Sequence, residues 1–155
     1  MSIKYYPNDR RNTGTLGLKL PMNALKSKSN TGVFNTSRTT EEQAVSNYIN
    51  LLLTRRGERY MQPEFGIGIQ EKLFEQNTEF LQSQIELEIQ TQSEFWLPYI
   101  FNKSITVSYA SDIPTLGGDT EHGIHVTIVF SVTESGANQT IVVFGENGKT
   151  NIKLL

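Results

Sequence analysis

Two carboxylates, Glu58 and Glu64, bracket the segment Gly57-Glu-Arg-Tyr-Met-Gln-Pro-Glu-Phe-Gly66. A carboxylate pair on one loop is the minimum equipment of a glycosidase, one group held protonated as general acid and the other ionised. That chemistry needs a fixed separation and at least one carboxyl raised by burial. Arg59 adjoins Glu58, and Arg55 and Arg56 precede it, so ion pairing is the expected use of Glu58. A glycoside hydrolase stays open as the second reading. His122 and His125 are three apart at the mouth of a strand pattern, which puts them on opposite faces and makes a poor metal pair. His125 is expected to pack on a sheet face. The segment Gly66-Ile-Gly68 lacks both the third Gly of a dinucleotide loop and the Gly-Lys-Ser/Thr of a phosphate loop. The chain has no Cys, hence no thiol nucleophile, thiolate metal site or disulfide. No Ser stands in a nucleophile-elbow setting. The expectation is therefore no catalytic residue, no cofactor and no metal.

The composition agrees with a binding or structural role. Of 155 residues 37% are hydrophobic and only 19% charged, and the balance is neutral polar, with 49 Ser, Thr, Asn and Gln. Eight Phe, six Tyr and one Trp still provide for a modest core. Nothing approaches the ~18 apolar residues of a membrane span. The start, Met-Ser-Ile-Lys-Tyr-Tyr-Pro-Asn, has no apolar core of a secretion signal, so a non-secreted chain is expected.

Charge is unevenly spread. Residues 1–40 hold seven basic groups against Asp9 alone, within a total of −2. This stretch is also poor in large apolar residues, so residues 1–38 read as an extended basic arm and 39–155 as one domain. Docking against an acidic neighbour or plain solvation explains the arm, and no aromatic-basic interleaving supports a nucleic-acid partner. The alternation Leu16-Gly-Leu18-Lys-Leu20 suggests a short strand ending at Pro21.

The elements that would position any site follow from periodicity. A helix begins near Thr39 or Thr40, where Thr39-Thr-Glu-Glu42 has capping-box spacing. It carries Ala44, Val45, Tyr48, Ile49 and Leu52 inward, with Arg55 and Arg56 in its last turn and Gly57 as its left-handed stop. A short helix follows around Ile69, Leu73 and Phe74. Thr78 then caps a long helix from Glu79 to Trp96, ended by Pro98, with the stripe Leu81, Ile85, Ile89 and Trp96 and with Phe80 and Phe95 beside it. Six Glu against one Lys between Glu71 and Glu94 predict an acidic outer face. From Ile100 the period becomes two, with strands on Ile105–Tyr109, Ile124–Val132, Ile141–Phe144 and Thr150–Leu154, and turns at Gly117-Gly118-Asp119, Ser135–Asn138 and Gly145–Gly148. The fold class is α+β: helices packed on one face of an antiparallel β-meander, with an extended N-terminal arm.

The compound motif Leu52-Leu53-Thr54-Arg55-Arg56-Gly57-Glu58-Arg59, Pro63-Glu64-Phe65-Gly66 and Leu73-Phe74-Glu75 resembles the baseplate wedge family of contractile phage tails. That family was historically labelled acidic lysozyme-like and has relatives in type VI secretion baseplates. The likeness covers roughly residues 39–145. It implies a structural virion protein, assembled in the host cytoplasm, that joins the inner wedge to the first sheath ring by strand addition. The implied partners are other wedge proteins and the tail sheath protein, with the tail tube or hub as further neighbours and no nucleic acid or membrane. A peptidoglycan-cleaving, lysozyme-like hydrolase and a type VI baseplate component remain the alternatives.

The resemblance also suggests contact residues. Arg55, Arg56, Glu58 and Arg59 would face the wedge, with Gly57, Pro63 and Gly66 setting the turn. Where the family often has Glu-Pro-Arg after the long helix, this chain has Leu97-Pro98-Tyr99. The Pro stays and the charged pair is gone, so that contact is expected to be apolar, relocated or absent. Toward the sheath the expectation falls on Ile141, Val142, Val143 and Phe144 and on Thr150, Ile152 and Leu154, as strands open to augmentation.

Overall fold

The computed structural model describes residues 16–20, 35–73, 75, 78–109, 124–133, 136–146 and 149–154. Most of residues 1–38, Phe74, the Gly117-Gly118-Asp119 turn, His122, Ser135 and Gly148 lie outside the described residues. The chain divides into two compact units, residues 1–49 and 50–155.

In the first unit, β1 (Gly17–Leu18) pairs antiparallel with β2 (Thr36–Ser37). The expected strand through Leu20 is thus only two residues long. Helix α1 (Thr40–Leu53) starts where the capping signal puts it, and Thr39 Oγ1 accepts the Glu42 N–H at 3.2 Å. The Glu42 carboxylate accepts the Arg38 N–H at 2.9 Å and pairs with Lys19 at 2.7 Å. Burial alone would raise the Glu42 carboxyl, but these donors outweigh it and hold the group below 4.5. Leu20 N–H donates to Ser46 Oγ at 3.2 Å, so the β1 segment is tied to the first turns of α1.

The second unit begins within α1. Helix α2 (Ile69–Lys72) is one turn, and α3 (Glu79–Trp96) keeps the limits that its caps dictate. Thr78 is extended, and its hydroxyl accepts the Leu81 N–H at 3.1 Å. The four strands β3 (Phe101–Tyr109), β4 (Ile124–Ser131), β5 (Gln139–Glu146) and β6 (Lys149–Leu154) form an antiparallel meander in chain order. Val126 lies opposite Val143 and Ile128 opposite Ile141, and all four are buried, which makes this face the core face. Leu81, Ile85 and Ile89 of α3 are buried as well.

Three expectations about the helices need correction. α1 ends at Leu53, so Arg55 and Arg56 lie beyond its last turn and Gly57 is not its stop. The fourth place in the α3 stripe is taken by Ser93, fully buried, while Trp96 is half-buried and Phe80 and Phe95 are exposed. Nor is the outward face of α3 acidic. Glu86 and Glu88 are turned to partners inside the unit, and of the exposed side chains described on α3, Phe80, Ser83, Gln84, Leu87, Gln90, Thr91, Glu94 and Phe95, only one is charged.

Candidate functional site

The turn after α1 is built by the chain returning across the helix end. The last carbonyls of a helix have no partner within it. Here Ile67 N–H donates to Leu51 O at 3.1 Å and Gly68 N–H to Thr54 O at 2.8 Å. That return requires Gly66 (φ 110°), because a Cβ there would overlap the Thr54 carbonyl. Gly57 (φ 82°) has open space around it and is needed for its backbone conformation alone. Its N–H donates to Pro63 O at 2.7 Å, which closes the loop. The residues expected to set the turn, Gly57, Pro63 and Gly66, are thereby brought together.

Four charged residues of the motif, Arg55, Arg56, Glu58 and Arg59, are committed within the chain. The Glu58 carboxylate accepts the Arg55 N–H at 3.0 Å, so it caps backbone where an ion pair with Arg59 was expected. The Arg55 guanidinium pairs with Glu71 at 3.3 Å, and Arg56 with Glu88 at 3.2 Å. Glu88 also takes Lys72 at 2.5 Å, both side chains being largely buried. Arg59 lies 3.6 Å over the Phe65 ring and donates to Gln62 at 3.3 Å. Phe65 meets the edge of Trp96 at 5.2 Å, and Trp96 meets Phe95 at 5.0 Å, so an aromatic row links the turn to the end of α3. The large hydrophobic side chains that the turn leaves exposed are Tyr60 (96%) and Met61 (85%), neither of which sequence reasoning selected.

Beyond α3, Leu97 is buried, and only Pro98 and Tyr99 of that trio present surface. The expected contact through Leu97 is therefore withdrawn: its side chain belongs to the core.

The sheet has two unlike edges. On β3, the Val107 N–H donates to the Glu86 carboxylate of α3 at 3.2 Å, and Asn102 donates to Ser93 Oγ at 2.6 Å. The ladder with β4 also shifts between Asn102 and Ser104. A helix carboxylate on the edge and a bulge are two standard defences against a further strand. On the other side, β5 is paired to β4 and to β6, so the main chain of Ile141, Val142, Val143 and Phe144 is already engaged on both sides. The expectation that both segments would take up a strand narrows to β6, with Thr150, Ile152 and Leu154. No signal in the sequence marked Glu86 or Ser93 as edge guards, since that depends on how α3 lies on β3.

Glu64 is exposed, and Glu58, six residues before it, is already used as a backbone cap. His125 is buried against Phe144, their rings stacked at 5.5 Å, and burial pushes its imidazole below 6.5. Among the described residues no three His, Asp or Glu are grouped to hold a metal ion.

Residues 38–137 match the family model described as baseplate wedge protein gp25, which is more than half of the chain. The chain belongs to this family. Its role is accordingly structural, in a baseplate and alongside other baseplate proteins. The match takes in α1, the turn, α2, α3, β3 and all of β4, while β5 and β6 fall beyond it. Among solved structures, a Geobacter sulfurreducens protein provisionally named a tail lysozyme is similar at 27% identity. That likeness covers 68% of this chain and 88% of the other, with a TM-score of 0.55. Comparison with curated proteins gives no match. Among the described residues no helix of this baseplate wedge protein is long and apolar enough to cross a membrane.

Proposed function

We propose that this chain joins an inner baseplate wedge to the first ring of tail sheath, and that an extended sheath segment adds to β6 as a fifth strand. One observation carries the reading: of the two sheet edges, β3 is guarded by Glu86 and a bulge, while among the described residues no strand pairs with the outer side of β6. Strand addition draws affinity from main-chain bonds and register from alternate side chains. Ile152 and Leu154 lie opposite Val143 and Ile141 and would extend the core face to the incoming strand. The wedge side of the joint is assigned to the Gly57–Gly66 turn and the Pro98–Tyr99 corner, and the basic arm to an acidic baseplate neighbour.

The role is assembly, not hydrolysis. Glu58 serves as a backbone cap and Glu64 stands in solvent, so the turn has no acid-base pair. Amide exchange tests the strand: on mixing with the tail sheath subunit of the same particle, the amides of Lys149–Leu154 should slow and those of β3 should not. Unchanged exchange in β6 with stable binding elsewhere would contradict it.

A further inference from the structure

The outward face of α3 carries Phe80 (77% exposed), Leu87 (67%) and Phe95 (72%) on one stripe. Phe80 and Leu87 are seven residues apart, Phe95 is eight further on, and Gln84 and Thr91 lie between them, so the steps of four, three, four and four keep all five on one helix face. A solvated helix has no use for three large apolar side chains in register.

We propose that a second copy of this chain covers the stripe, α3 packing antiparallel on α3 about a two-fold axis close to Leu87. Three observations select this occupant. First, the stripe reads nearly the same in both directions from Leu87, with a neutral polar residue and then a Phe on either side. An isologous contact requires such self-complementarity. Second, like must tolerate like. Glu88 is drawn away by Lys72 and Arg56 and Glu86 by the Val107 N–H, so among the described side chains Glu94 is the one carboxylate on the stripe. Antiparallel pairing sets the two copies of Glu94 about 20 Å apart along the axis. Third, two Phe and a Leu from each copy cover on the order of 1,000 Å² in total, at the low end of specific interfaces. That area fits a weak, reversible dimer with a Kd of roughly micromolar, one that can give way on assembly.

The chain has no native Cys, so single cysteines report the geometry cleanly. Sedimentation equilibrium of the purified chain should show a monomer–dimer exchange, weakened at least tenfold by Leu87→Arg with an unchanged thermal midpoint. Leu87→Cys should cross-link to itself through a short bismaleimide, and Glu94→Cys should not. A chain that stays monomeric into the hundreds of micromolar would overturn the proposal. So would Leu87→Cys that is shielded only when other baseplate proteins are added, which would give the stripe to a different helix. Equal self-cross-linking at positions 87 and 94 would overturn the antiparallel arrangement. None of these readings depends on the strand-addition role of β6.

Discussion

Gly66 lies against the carbonyl of Thr54 with no room for a Cβ, while the Gly68 N–H two residues on bonds that same oxygen at 2.8 Å. The motif Thr54…Gly66-Ile-Gly68 is therefore a capping device: the returning chain satisfies the carbonyls at the end of α1. Gly66→Ala should cost about 2–4 kcal/mol, from positive φ plus overlap with backbone that cannot yield. Gly57→Ala has the positive φ without the overlap and should cost about 1 kcal/mol. Urea midpoints of the two variants check the account, and equal losses would contradict it.

Trp96 is half-buried and braced by Phe65 and Phe95, with its indole N–H donating to Gln92 at 3.0 Å. Trp96→Ala should lose about 2–3 kcal/mol, below the cost of emptying a fully buried indole site. Phe95→Ala, on an exposed ring, should lose under about 1 kcal/mol. Thermal midpoints compare them directly.

His125 and Glu42 give stability two separate pH windows. The folded state holds the His125 imidazole below 6.5, so under acid the unfolded chain takes up that proton first. Stability from this site is full above 6.5 and declines as pH falls from there to the lowered folded value. Glu42, held below 4.5, stabilises above 4.5 and loses its contribution as pH falls through its own lowered value. His125→Phe should flatten the loss in urea midpoint between about pH 7 and pH 5 and leave the lower window intact.

Much of this was readable in the sequence where the cause is local. Thr78 and Pro98 fix both ends of α3, and period-two alternation fixes β4 and β5. The misreadings share one cause, groups recruited by partners distant in the sequence. α1 stops at Leu53 because residues 67 and 68 take its carbonyls, sixteen and fourteen residues away from their partners. Counting Glu along α3 predicted an acidic face, but Glu86 and Glu88 are drawn to β3 and to Lys72. The open edge at β6 was legible as a short final strand, whereas the guarding of β3 was not.

The turn should have no muralytic activity. Glu58→Gln and Glu64→Gln should leave purified protein indistinguishable from wild type on peptidoglycan, at the background rate. Cleavage abolished by Glu64→Gln would revive the hydrolase reading.

The central claim is that β6 is where the sheath begins. Glu146 and Lys149 close the β5–β6 hairpin as a bonded pair, so alternate N–H groups, those of Thr150 and Ile152, face away from β5. Proline at Thr150 or Ile152 removes an outward donor without breaking the β5 ladder. Electron microscopy of tails assembled with these variants is the direct measurement. Complete baseplates bearing naked, unsheathed tubes are the predicted result; baseplates that nucleate full-length sheath as in wild type would contradict it.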